Sequence, residues 1–180
     1  MTLDELRRVD MGAKYDGAFR GLPIATFEEA MDKLACHATI NLHLKDAGVA
    51  WDEDRLAAVI RCIDAHDARR HLYFMTSLPA IHGQLQRLAP DIPRCMGAGD
   101  RSRDIVDAAL ECGCVMIQLF KGRPTADATP ERIDRAHAAG MRVNIFWSDD
   151  PDEARRFLDM GCDTILTNRW LALHNALDLS

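Results

Sequence analysis

Apolar residues fall into six short runs of strand type, each followed by a stretch with helical spacing. The runs are Ala38 to Lys45, His71 to Ser77, Ile92 to Gly97, Val115 to Phe120, Arg142 to Trp147 and Thr164 to Thr167. Helices are predicted near Asp52 to Ala65, from about Pro79, from about Arg103 to Glu111, and from the sixth run to the C-terminus. Two more open on Thr129 and Asp150, each an N-cap residue followed by a proline suited to the first helical turn. Gly140 and Gly161 stand where helices should end. Ahead of the first strand, Thr2 with Glu5 and Thr26 with Glu29 each fit a capping box, and Gly12 to Ile24 reads as an irregular loop.

Strands alternating with helices imply parallel βαβ units. No linker or low-complexity segment interrupts them, so residues 1–180 read as one domain. The pattern is that of a (β/α)8 barrel with too few strands to close. An eight-stranded barrel needs roughly 200 residues at the least and about 250 typically, whereas this chain has 180. The expected fold is therefore α/β, a partial barrel of about six parallel strands with the first two βα units missing. Its open edges would invite pairing, by a homo-oligomeric partner or by an N-terminal segment that covers them.

Composition changes this picture little. Hydrophobic residues make up 48% and charged residues 28%, ordinary for a soluble domain. A net charge of -6 with no basic block argues against nucleic acid as a partner. No run approaches the roughly 18 apolar residues of a membrane span. The N-terminus lacks the apolar core of a signal peptide. The cysteines, Cys36, Cys62, Cys95, Cys112, Cys114 and Cys162, form no C-x-x-C pair. They read as reduced, mostly buried thiols of a cytoplasmic protein.

In barrels of this type the site lies at the C-terminal ends of the strands. The six ends supply His43, Lys45 and Asp46; Met75, Thr76 and Ser77; Met96 to Asp100; Gln118, Phe120 and Lys121; Phe146 and Trp147; Thr167 and Asn168. Lysines and rings on one rim suit an anionic, partly apolar small molecule. Structural roles compete. Lys121 also fits a solvated loop, Ser77 and Asp150 fit helix caps, and Trp147 fits packing between strands and outer helices. His43 and Lys45 are harder to explain that way. They are two apart on a strand, so their side chains share a face, while Leu42 and Leu44 take the other. If the leucines pack outward against helices, two ionisable groups face the barrel axis, where they need a partner, water or a ligand. The remaining histidines fall on or beside helices or at a strand entrance and read as surface or core residues.

Several segments, in order, resemble the glycerophosphodiester phosphodiesterase family. They are Ile24-Ala25-Thr26-Phe27-Glu28-Glu29, Asn41-Leu42-His43-Leu44-Lys45, Ala89-Pro90-Asp91-Ile92-Pro93, Asn144-Ile145-Phe146-Trp147-Ser148-Asp149-Asp150-Pro151 and Gly161-Cys162-Asp163-Thr164-Ile165-Leu166-Thr167-Asn168. The resemblance implies a TIM barrel of phospholipid metabolism that hydrolyses glycerophosphodiesters to glycerol phosphate and an alcohol with a divalent metal. In that family a His-Arg-Gly, a Glu-x-Asp and a His-Asp precede an Asn-Ile-Glu-Ile-Lys, and none of the three stands ahead of Asn41 in this sequence. His43 replaces the glutamate of the last motif, a metal-ligand position. Lys45 carries over as the residue expected to contact phosphate, and Phe146 as the ring near the glycerol, with Trp147 beside it. Lys121 and Gln118 complete the expected substrate contacts. His43 and Lys45 are the best catalytic candidates, and His43 the one candidate metal ligand, suited to Zn, Mn or Ni more than to Ca or Mg. Two functions follow: a phosphodiesterase-family domain impaired or inactive as this chain, or a catalytically dead anion-binding or assembly module of the same fold.

Overall fold

The computed structural model describes residues 1–45, 50–99 and 102–177; Asp46 and Asp100 lie outside them. Six parallel strands form one sheet in chain order: β1 (Ile40–His43), β2 (Leu72–Thr76), β3 (Arg94–Met96), β4 (Met116–Leu119), β5 (Arg142–Ile145) and β6 (Thr164–Ile165). The sheet is an open half-barrel. Among the described residues β1 pairs with β2 alone and β6 with β5 alone. The strands are shorter than the apolar runs that predicted them. Lys45 and Trp147 lie beyond the ladder, because pairing stops once the βα connections turn away.

The helices arise as local sequence dictates. In α1 (Leu3–Arg7) and α2 (Phe27–Leu34), Thr2 and Thr26 each close a full capping box, with Glu5 and Glu29 reaching back to the cap amide. α3 (Glu53–Ala65) starts on Asp52 and α5 (Ile105–Glu111) on Asp104. α6 (Pro130–Ala138) and α7 (Pro151–Asp159) start on the predicted Thr129 and Asp150, and α8 (Trp170–Leu177) closes the chain. Gly140 and Gly161, at φ 74° and 100°, take the left-handed turn that ends α6 and α7. α4 (Pro79–Leu88) departs from expectation. Its N-cap is Leu78, without a side-chain cap, so Ser77 does not cap it. The Thr76 hydroxyl accepts from the Leu78 amide at 3.3 Å instead. The expected loop at Gly12 to Ile24 contains one 3-10 turn, Gly17–Phe19.

Two large apolar clusters lie between the sheet and its helices. One joins Met31, Leu44, Leu56, Ile63, Phe74 and Ile81; the other joins Val106, Ile117, Leu119, Ile133 and Ile145. Leu44 is buried and Leu42 packs against the first cluster, so the leucines of β1 do face the helical layer. The opposite face of the sheet is thereby left to Asn41 and His43. All six cysteines are free thiols, but only Cys95, Cys114 and Cys162 are buried, and Cys36 is exposed. Among the described residues, no helix is long and apolar enough to cross a membrane.

Candidate functional site

The strand register carries the inward face across the sheet. Asn41 pairs with Tyr73 and His43 with Met75, Met75 with Cys95, Gln118 with Asn144, and Asn144 with Thr164. At the C-terminal ends of β1 to β5 this face opens into a cavity of about 320 Å³. His43, Lys45, Met75, Ser77, Gly97, Gln118, Phe120, Arg123 and Phe146 contribute to its lining. The first strand thus delivers His43 and Lys45 together, as their spacing predicts. Ser77 lines the cavity one step beyond β2, in place of the helix-cap role expected for it.

Burial first, and the Lys45 ammonium second, hold the His43 imidazolium below its ordinary range. The ring is therefore neutral at neutral pH, able to accept or relay a proton. Gln118 is 1% exposed, and its Oε1 has no hydrogen-bond partner among the described residues. Asn144 is buried beside it, with Nδ2 donating to Thr164 Oγ1 at 2.9 Å and Oδ1 unpartnered. Asn41 holds two further unpartnered amide atoms on the same face. Buried polar atoms are normally satisfied, by protein groups or by ordered water; of this set, only Gln118 lines the cavity. Phe120 and Phe146 stand 5.3 Å apart between ring centroids and form an apolar wall.

Lys121 and Trp147 lie outside this cavity. Phe120 points inward, and the next residue turns the other way. The Lys121 ammonium donates to Glu153 Oε2 at 2.9 Å and sits over the Trp147 ring at 5.3 Å from its centroid. Hydrogen bonds from Ser148 and then from Lys121 hold the Glu153 carboxyl below its usual range. Lys121 instead lines a neighbouring cavity of about 510 Å³ with Gly99, Gly122, Arg123 and Thr125.

Sequence reasoning missed Arg123, which lines both cavities. Its guanidinium lies over the Phe120 ring at 4.2 Å from the centroid. Asn41 and Asn144 share the inward face with His43 and Gln118 by the same alternation, without lining the cavity.

Among the described residues, the lining of the cavity offers one imidazole and no carboxylate, while Lys45 and Arg123 bring positive charge, a poor donor set for a divalent cation. Among the described residues, no group of three or more His, Cys, Asp or Glu side chains is placed to hold a metal ion.

The sequence model of the glycerophosphoryl diester phosphodiesterase family matches residues 1–172. The chain belongs to that family. Solved structures of the same fold agree. A Silicibacter pomeroyi protein bearing the same family name superposes with a TM-score of 0.80 at 24% identity, over 100% of this chain and 70% of that one. An Oleispira antarctica phosphodiesterase, solved in complex with the product sn-glycerol-3-phosphate, gives a TM-score of 0.83 at 20% identity, over 99% of this chain and 71% of that one. A glycerophosphodiester phosphodiesterase from Agrobacterium tumefaciens gives 0.74 at 18%, over 97% and 71%. Among curated proteins, none matches the chain in sequence. These likenesses establish a six-stranded portion of the family's barrel.

Proposed function

We propose that this domain binds the phosphate of a small glycerophosphodiester or glycerol phosphate in the strand-end cavity, and that its hydrolytic capacity as this chain is impaired. The observation that carries the reading is the convergence of Lys45, His43, Gln118 and Phe146 on one cavity whose described lining residues include no carboxylate. Lys45 supplies a charge-assisted contact to phosphate oxygens. The Gln118 oxygen can accept from a ligand hydroxyl, and the phenyl wall receives the carbon skeleton. Cleavage of a phosphodiester needs an acid/base pair and stabilisation of the charge that develops on the phosphoryl oxygens. The lining offers cations for the second requirement and one neutral imidazole for the first. A general base at His43 would find no acid among the described lining residues to protonate the departing alkoxide.

The alternative, a catalytically dead anion-binding module, uses the same cavity and differs only in turnover. Coverage of the β1 and β6 edges by a second copy is the assembly side of the proposal, with concentration-dependent association expected in sedimentation velocity. The reduced thiols and the family's substrates favour a role in cytoplasmic phospholipid turnover. The binding reading is tested by NMR titration of sn-glycerol-3-phosphate. Shifts should appear in resonances of β1 and β4 at ligand concentrations on the order of millimolar, about -4 kcal/mol, and should be lost in Lys45→Ala. Unchanged spectra in the wild-type protein would remove the reading.

A further inference from the structure

Several cationic side chains of this chain are held in ion pairs. Arg7 pairs with Glu29, Arg69 with Asp64 and Asp91, Arg87 with Glu53, Arg103 with Glu111, Arg132 with Asp104, and Lys121 with Glu153. Such pairing is expected where the net charge is -6. What sets Lys45 and Arg123 apart is their place: with no ion pair to a described carboxylate, both are exposed and line the same cavity, Lys45 just after β1 and Arg123 in the loop after β4.

Arg123 is also held in place. Its carbonyl accepts from the Ala126 amide at 2.8 Å, the Gly122 amide donates to Asp127 Oδ1 at 2.8 Å, and Arg132 Nη2 donates to the Pro124 carbonyl at 2.9 Å. These bonds pin the backbone on both sides of Arg123. Stacking on Phe120 then fixes where the guanidinium lies over the cavity mouth. A planar guanidinium so placed offers a fork of N–H donors matched to two phosphate oxygens. Beneath it, the buried and unpartnered Gln118 oxygen awaits a hydroxyl donor, so a ligand with phosphate at the mouth and hydroxyls inside satisfies both.

We propose that Arg123 and Lys45 form a two-cation clamp for a phosphate dianion, so that the cavity takes phosphomonoesters of small polyols without a metal. The inference rests on the reading of this cavity as a phosphate-ester site and adds a residue, a charge state and a metal requirement to it. Two cations favour a dianion over the single negative charge of a diester. A phosphomonoester with its second pKa near 6 gains that charge as pH rises, so affinity should grow from about pH 5 towards pH 7; His43 in the same lining, held below its ordinary range, adds an opposing positive charge only at the acid end.

The test is calorimetric titration of the full chain with sn-glycerol-3-phosphate and with inorganic phosphate, in metal-free buffer containing a chelator. Wild type should bind, and its affinity should rise across that pH range. Arg123→Ala should bind about tenfold or more weakly, as expected on losing a charged hydrogen bond, and should lose most of the pH response. Arg123→Lys, which keeps the charge without the fork, should recover part of both. The residue is exposed on a loop, so thermal melting of Arg123→Ala should match wild type. Equal affinity in wild type and Arg123→Ala, with loss in Lys45→Ala, would overturn the clamp and leave the cavity reading standing. Binding that appears only when Mg, Mn or Zn is added would overturn metal independence. A wild-type chain that binds neither ligand would overturn both proposals.

Discussion

Lys121 and Glu153 are joined at 2.9 Å across the space between the β4 loop and α7, and this bond holds the lysine off the cavity that receives Lys45. The same Glu153 oxygen accepts from the buried Ser148 hydroxyl at 2.5 Å. Lys121 therefore belongs to a structural network with a carboxylate at its centre.

The first prediction separates the two lysines. Lys121→Ala should leave the affinity for glycerol phosphate within about twofold of wild type, whereas Lys45→Ala should abolish measurable binding, a loss of roughly 1.5–3 kcal/mol. Paired NMR titrations of the two variants decide it. Equal loss in both would place Lys121 in the binding machinery despite its ion pair.

Turnover is the second. With Mg, Ca, Mn and Zn supplied in turn, release of glycerol phosphate from glycerophosphodiesters should stay far below the ~1 per second of ordinary enzymes. Turnover at that level, abolished by His43→Ala, would show that the single imidazole suffices.

The third prediction concerns pH and His82. This residue on α4 is 1% exposed, with Nε2 donating to the Thr76 carbonyl at 3.1 Å and Nδ1 3.5 Å from the Cys114 thiol. Burial, reinforced by the nearby Arg94 guanidinium, pushes its pKa down to about 4. The unfolded chain titrates near 6.5. Between those values the unfolded state binds a proton that the native state refuses, so stability is full above about pH 6.5 and declines as pH falls toward 4. The expected loss from this group is about 3 kcal/mol. Urea unfolding at pH 7.5 and pH 4.5 should show it, and His82→Gln should flatten the difference. An unchanged pH slope in that variant would rule the residue out as its source.

The fourth tests the packing of the first apolar cluster. Phe74 is fully buried on β2 against the helical layer. Phe74→Ala should cost roughly 3–5 kcal/mol by lost transfer energy and cavity formation. Chemical denaturation measures this, and a change under 1 kcal/mol would mean that the cluster collapses around the gap.

The fold was legible because its signals are local. Alternating apolar runs marked all six strands, and Thr26, Thr129 and Asp150 capped helices where side-chain chemistry requires. The inward face of β1 followed from the leucines that flank His43. The rim was harder to read because strand ends have no periodicity to extend. Lys121 follows the inward Phe120 by one residue, yet its place is fixed by a carboxylate 32 residues away. Arg123 is placed by bonds from Arg132 to the loop backbone, which no local pattern announces. Ser77 misled because α4 begins one residue later than a Ser77 cap requires, on Leu78 without a side-chain cap, while Ser77 lines the cavity. The unpartnered amides of Asn41, Gln118 and Asn144 look like any polar side chains until the register aligns them.

The sequential strand order also governs how the domain comes apart. Each strand pairs only with its neighbours in the chain, and the two large apolar clusters divide near residues 93–95, one spanning Met31 to Ile92 and the other Met96 to Cys162. A closed barrel has no end strands, whereas the described sheet has two, β1 and β6. As in stacked repeat arrays, opening can begin at either end and advance one βα unit at a time. Amide exchange should accordingly be fastest in β1 and β6 and slowest in β3 and β4, so that the cavity's first strand, which carries His43 and Lys45, belongs to one of the two least protected units.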